Sequence, residues 1–156
     1  MSHFDTDGKA HMIDVSNKGD TLRTARAFAR VLLSKDTLEK IKGGEIEKGE
    51  VLTVAKVAGI SAAKKTWEII PMCHPLNLTY VDINFSLVDD PSSIEIESFV
   101  SLIGKTGAEM EALVAVSIAS LTVYDMCKGI DKSITIEDIY LLEKTGGKSK
   151  RFIRNV

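Results

Sequence analysis

The chain has 156 residues, of which 44% are hydrophobic and 27% charged, with a formal net charge of −2. That length suits one compact domain with its own core and is cramped for two. The slightly acidic balance gives no global attraction to nucleic acid or to an anionic membrane, so any anionic ligand must be held by local lysines and arginines.

Residues 1–10 read as a flexible polar leader, 11–145 as a single domain, and 146–156 as a basic, mobile tail. His11 to Val15 reads as a short extended segment, followed by turn chemistry at Asp14, Ser16 and Asn17. Between Thr21 and Ser34 one parity carries Ala25, Ala27, Ala29, Val31 and Leu33, and the other carries Arg26 and Arg30. That alternation predicts a strand with one polar face, although the Ala, Leu and Arg content also suits a helix. Lys35 to Lys42 predicts a short helix stopped by Gly43-Gly44. From Lys48 to Ile70, Val51, Val54, Ala55, Ala58 and Ala62 recur at helical spacing; Gly59 suggests a bend and Pro71 an end. Thr79–Val88 and the run from Ile94 to Leu102 alternate as strands around the turn Asp89-Asp90-Pro91-Ser92, a hairpin.

Gly107 opens a long helix reaching about Lys128, with an expected apolar stripe of Met110, Leu113, Val114, Ser117, Ile118, Leu121 and Tyr124. Thr135 to Glu143 reads as the closing strand. The order β, α(α), β, β, α, β is that of a split βαβ: an α+β domain whose antiparallel sheet carries helices on one face. Two cysteines, Cys73 and Cys127, are too few and too far apart for a CxxC pair or a zinc cluster, and their sparsity suits a reducing cytoplasm. No apolar run approaches the roughly 20 residues that span a bilayer, and the leader lacks a signal-peptide core.

Three clusters carry potential chemistry. Pro71-Met72-Cys73-His74-Pro75 is a rigid turn in which His74 either binds phosphate, moves a proton or bonds to backbone. Glu109 and Glu111 fall in a helix first turn, where carboxylates either complement the helix dipole or reach a nucleobase-like ring or nearby lysines. Asp125 and Lys128 are three residues apart on one helical face, as a surface ion pair or an acid/base pair. Glu111 and Asp125 are 14 residues apart, so their directions differ by only about 40° but they lie roughly 21 Å apart along the axis. One small ligand cannot touch both within a chain, which leaves two separate sites or one site shared between subunits.

Asp14-Val15-Ser16-Asn17-Lys18, Ala58-Gly59-Ile60-Ser61-Ala62-Ala63-Lys64-Lys65-Thr66 and Ile70-Pro71-Met72-Cys73-His74-Pro75-Leu76 form long ordered stretches around these clusters. So do Gly104–Leu113, Leu121–Lys128 and Lys144-Thr145-Gly146-Gly147-Lys148-Ser149. Read together, these stretches resemble the MoaC family, the cyclic pyranopterin monophosphate synthases of molybdenum cofactor biosynthesis. The resemblance implies a ferredoxin-like fold and a homo-hexamer, a trimer of dimers with active sites at subunit interfaces. It implies a lyase that converts a 3′,8-cyclised dihydro-GTP to cyclic pyranopterin monophosphate with loss of pyrophosphate. It places the catalytic set on Lys48, Asp125, Lys128 and Lys144. Substrate contacts fall on Met72, Cys73, His74, Met110 and Glu111, and a polar lining on Glu109, Lys18, Arg23 and Arg26. Nothing in the chemistry requires a redox cofactor; Mg2+ suits a triphosphate, but no protein ligand cluster demands it, and no metal site is expected. Ala108 and Lys150 depart from the usual pattern without touching a catalytic position. The alternatives are a non-catalytic nucleotide- or RNA-binding ferredoxin-like module, against which the aromatic content of only 6% counts, and a structural oligomer, against which the reactive clusters count.

Overall fold

A computed structural model describes residues 3, 4, 6–148 and 151–155. Ser149 and Lys150 of the basic tail, and part of the leader, lie outside the described residues. The elements run β1 (Thr21–Leu32), α1 (Lys35–Gly43), α2 (Val51–Lys64), α3 (Thr66–Ile69), β2 (Leu78–Asp89), β3 (Ser92–Gly104), α4 (Glu109–Cys127), β4 (Thr135–Thr145) and β5 (Phe152–Ile153). The sheet order is β2-β3-β1-β4-β5, and every neighbouring pair is antiparallel. Strands β1 and β2 therefore run parallel on either side of β3, joined by the helical crossover. This is the ferredoxin-like split βαβ arrangement, with β5 added where the sequence reading had assigned no element.

The parity of β1 sets the two faces of the sheet. Ala25, Ala27, Ala29 and Val31 are fully buried on the helix side. Arg26 and Arg30 point to the open face, where they pair with carboxylates of β3 and β4: Arg26 with Glu97 (2.5 Å) and Glu143 (3.6 Å), Arg30 with Glu95 (3.1 Å) and Asp138 (2.9 Å). Small alanines on the inner parity let α4 approach closely. There Ser98 Oγ donates to the Ala112 carbonyl at 2.8 Å, tying β3 to α4.

Two expectations are corrected here. Gly59 makes no bend: α2 runs unbroken through it, and the interruption falls at Lys65. A Cβ at Gly59 would sit 2.7 Å from the Ala115 carbonyl oxygen and 2.3 Å from Ile83 Cδ1, so its lack of a side chain is what lets α2 pack onto α4 and β2. The expected stripe of α4 is also not its buried face. Ala112, Ala115, Val116, Ala119, Ser120, Val123 and Cys127 are buried, while Leu121 is 53% exposed. Helix α4 is nineteen residues long and apolar enough by length and composition to cross a membrane, but here it lies packed against α2 and the sheet.

Local chemistry fixes the ends of α1. Ser34 caps it by accepting from the Thr37 N–H (3.2 Å), and Gly44 closes it in the left-handed region at φ 69°. The buried Asp131 carboxylate locks the same corner. It accepts from the Ser34 N–H (2.9 Å) and Thr37 Oγ1 (3.1 Å) on one oxygen, and from the Ser133 N–H (2.9 Å) and Oγ (2.6 Å) on the other. The turn after α4 is thereby fastened to the start of α1.

Candidate active site

Two adjoining cavities open where β3 gives way to α4. The first, about 270 Å³, is lined by Ile13, Val15, Met72, Cys73, His74 and Met110 among others, with the carboxylates of Glu109 and Glu111 also in its lining. The second, about 580 Å³, is ringed by Lys18, Arg23, Lys105, Lys144 and Lys148, with Gly146 and Gly147 on its wall. Lys18, Thr106, Gly107 and Glu109 border both. An apolar slot holding carboxylates thus merges into a strongly cationic basin.

The chain builds each part from local rules. His74 leaves the short turn after α3, and its Nε2–H donates to the Ile13 carbonyl at 2.8 Å, which pins the segment before β1 across the first cavity. Lys105 holds the same segment through Ser16, donating from Nζ to its carbonyl at 2.9 Å. Arg23 lies on the inner parity of β1 and is only 9% exposed. Its guanidinium donates to the carbonyls of Gly104 (3.2 Å) and Lys105 (3.0 Å). Gly146 and Gly147 follow β4 at φ 91° and 76°, and a Cβ on Gly147 would lie 2.0 Å from Arg23 Nη1. Only glycine lets the backbone press this closely on the arginine.

The two carboxylates of the α4 first turn have different surroundings. Glu109 is ion-paired with Lys144 at 2.7 Å. Glu111 is 4% exposed. Burial pushes its carboxyl up to about 7; its own backbone N–H opposes this and the Glu109 charge adds to it. Cys73 is raised by burial and by Glu111, so its thiol stays protonated and is a poor nucleophile.

The remaining predicted residues lie at the other end of α4. Lys128 Nζ meets Asp125 Oδ1 at 2.7 Å; Lys48 Nζ donates to the Asp125 carbonyl at 2.6 Å and lies 3.5 Å from its carboxylate. The Lys128 ammonium, then Lys48, holds the Asp125 carboxyl below its ordinary value, and Asp125 in turn raises Lys128. All three are about half exposed, with Asp125 at 59%.

The structure therefore gathers Lys18, Arg23, Met72, Cys73, His74, Glu109, Met110, Glu111 and Lys144 at the head of α4. It sets Lys48, Asp125 and Lys128 about 21 Å away along the helix. Arg26 joins neither group: two-residue periodicity turns it to the open sheet face, away from Arg23. Lys105 begins the strand-to-helix stretch that the sequence marks out, but the sequence reading gave it no role of its own; the structure places it in the lining of the basin. Among the described residues no three His, Cys, Asp or Glu side chains form a metal-binding group.

A family profile described as the MoaC family matches residues 12–147. The chain belongs to the MoaC family. Among curated relatives, a Heliobacterium modesticaldum protein named cyclic pyranopterin monophosphate synthase is 57% identical over 154 residues, covering 99% of this chain and 97% of that protein. A Desulfitobacterium hafniense protein of the same name is 58% identical over 154 residues, covering 99% and 94%. The MoaC match spans both ends of α4, so the two clusters belong to one family unit.

Proposed function

We propose that this MoaC-family chain is a cyclic pyranopterin monophosphate synthase, a lyase of molybdenum cofactor biosynthesis that converts a 3′,8-cyclised dihydro-GTP to cyclic pyranopterin monophosphate and pyrophosphate. The observation that carries this reading is the pair of merged cavities: an apolar slot with two carboxylates beside a basin of four lysines and an arginine. A ring with a triphosphate attached matches that division of chemistry. The slot takes the ring, and the basin takes the phosphates through charge-assisted hydrogen bonds.

In the reaction a ribose hydroxyl closes onto the α-phosphorus and pyrophosphate leaves, while protons move as the purine is rearranged to a pterin. Lysines of the basin neutralise the departing diphosphate. Within the distant trio, Asp125 is held ionised and Lys128 is held as an ammonium. Asp125 takes the central acid/base position, and Lys128 beside it serves as general acid/base or charge partner. Mg2+ on the phosphates is compatible with the basin, and no resident cofactor is invoked.

The trio is too open to exclude water by itself and too far from the slot to touch the same ligand. A homo-hexamer, arranged as a trimer of dimers with sites at subunit interfaces, brings the trio of one protomer to the slot of another. Apolar side chains left exposed on α2, α3 and α4, among them Val57, Trp67, Ile69 and Leu121, support such a covered assembly. We place the enzyme in the cytoplasm, in keeping with two free cysteines.

The test is turnover. Purified protein is mixed with the cyclised GTP derivative, and pterin product and pyrophosphate are followed by chromatography. The native chain forms both; Asp125→Ala and Lys128→Ala lose about 10²–10⁴-fold in rate while remaining folded oligomers. Full turnover by Asp125→Ala removes the catalytic assignment, and a native chain that binds nucleotide without reacting returns the protein to the class of binding modules.

A further inference from the structure

The Lys48–Asp125–Lys128 trio is drawn from two pieces of chain with a cleft between them. Asp125 and Lys128 come from the end of α4, and Lys48 comes from the connection between α1 and α2. A cavity of about 350 Å³ lies there, lined by Lys40, Ile46 and Lys48 on one side and by Met126, Gly129 and Ile130 on the other. Helix α1 itself packs on β2 and β3. The open cleft leaves the reach of Lys48 to Asp125 to be set by a link elsewhere.

Asp131 supplies that link. Its N–H donates to the Cys127 carbonyl at 3.0 Å, beside the Ile130 N–H on the same oxygen at 2.9 Å, and the Lys128 N–H donates to the Tyr124 carbonyl at 2.8 Å. The turn that carries Lys128 therefore continues without a break into Asp131. The Asp131 side chain is buried, and its two oxygens serve two elements. Oδ2 accepts from the Ser34 N–H and the Thr37 hydroxyl at the start of α1. Oδ1 accepts from the N–H and hydroxyl of Ser133 in the turn after α4. From α1 the path to Lys48 is stiff. Leu38 and Ile46 are buried, the Gly44 and Glu45 N–H groups donate back to the Ile41 and Lys40 carbonyls, and the Gly49 N–H donates to Ile46. Lys48 stands inside that last turn, and its Nζ donates to the Asp125 carbonyl at 2.6 Å.

Four donors converge on this carboxylate, so both oxygens must accept. An asparagine of the same shape turns an NH2 group against either the Ser34 or the Ser133 N–H, and one half of the lock opens.

We propose that Asp131 is a positioning residue for the trio: its carboxylate bolts the end of α4 to the start of α1 and so sets where Lys48 stands against Asp125. It acts through Lys48 and not on the substrate. The kinetic consequence rests on the lyase reading; the placement of Lys48 does not.

The experiment compares wild type with Asp131→Asn as intact oligomers, at a temperature where circular dichroism shows both folded. Lysine amines are labelled at trace level with acetic anhydride, and acetylation of Lys48 is read by mass spectrometry against Lys64 at the end of α2. An amine engaged with the Asp125 carbonyl and carboxylate is a poor nucleophile, and one set free reacts faster. In Asp131→Asn the Lys48 rate relative to Lys64 is expected to rise about threefold as that contact loosens. With the cyclised GTP derivative, kcat is expected to fall about tenfold while KM stays within about twofold, since misplaced reacting groups cost rate rather than binding. Thr37→Val removes one of the two bonds on the α1 side and keeps the carboxylate. It is expected to move both readouts the same way by less, and it carries the test if Asp131→Asn does not assemble. An unmoved Lys48 rate, a rise shared by Lys64, or a kcat equal to that of wild type overturns the proposal. Native turnover with Lys48 unmoved sinks the positioning role alone. A Lys48 rate that rises in Asp131→Asn, with no turnover by wild type, upholds the placement of Lys48 and sinks the lyase reading alone.

Discussion

Replacing Gly59 by alanine is expected to destabilise the protein, against the usual effect of that change in a helix. In an exposed helix interior, alanine gains about 1 kcal/mol over glycine. Here the new Cβ would meet the Ala115 carbonyl oxygen at 2.7 Å, Ile83 Cδ1 at 2.3 Å and the Ala119 Cβ at 3.3 Å. The isoleucine tip can rotate away; the carbonyl belongs to the backbone of α4 and cannot move without displacing that helix. Overpacking of this kind costs about 1–3 kcal/mol. Set against the propensity gain, the net loss is about 1 kcal/mol, or a fall of roughly 2–4 °C in Tm for a domain of this size. Thermal unfolding followed by circular dichroism reads it directly. Adding Ile83→Val, which removes the clashing Cδ1, should recover part of the loss, so the double variant is less destabilised than the two single changes combined. A rise in Tm for Gly59→Ala would refute the close-packing account and return Gly59 to the role of a tolerated helical glycine.

Gly147→Ala forces a side chain into the left-handed region and onto the Arg23 guanidinium; on the proposed reading, in which the basin takes the phosphates, it should raise KM for the substrate about tenfold, as steady-state kinetics will show. Asp131→Asn tests the corner lock. Burial works against ionisation of Asp131, but hydrogen bonds from Ser133 and Ser34 win and hold its carboxyl well below the usual range. A depressed carboxylate stabilises the fold above its unfolded value and ceases to do so in acid. The Tm gap between wild type and Asp131→Asn should therefore be full at neutral pH and shrink as the pH drops below about 4.

Much of the fold was legible because β1, β2 and β3 each have one wet face, and a wet face writes a period of two into the sequence. Arg26 and Arg30 against Ala25, Ala27 and Ala29 is that signal, and the structure keeps it. The same rule separates Arg23 from Arg26, since the two differ in parity, and the structure puts Arg23 on the inner side and Arg26 on the open face. Helix α4 was misread because it is apolar nearly all round, and periodicity then cannot say which side is buried. The buried face combines Ala112, Ala115, Ala119 and Ser120 with Val116, Val123 and Cys127, while Leu121 stays outside, and that side is set by where α2 and the sheet lie. Gly59 has no sequence mark that separates a bend from a contact, because the atoms it makes room for come from residues 83, 115 and 119. Asp131 drew no attention in the sequence, and Lys105, though inside the strand-to-helix stretch, was given no role of its own, for a related reason. Their partners, Ser34 and Ser16, are 97 and 89 residues away in the chain.

The length of α4 has a genetic consequence. One end bears Glu111 and the other Asp125, and on the shared-site reading each completes a different site. A chain damaged only at Asp125 still carries a sound slot, and a chain damaged only at Glu111 still carries a sound acid/base trio. When two such chains pair, one of their sites collects both defects and the other collects none. Two alleles that are each silent alone can thus restore function together, whereas two lesions at the same end of the helix cannot. The distance along one helix becomes a rule of inheritance.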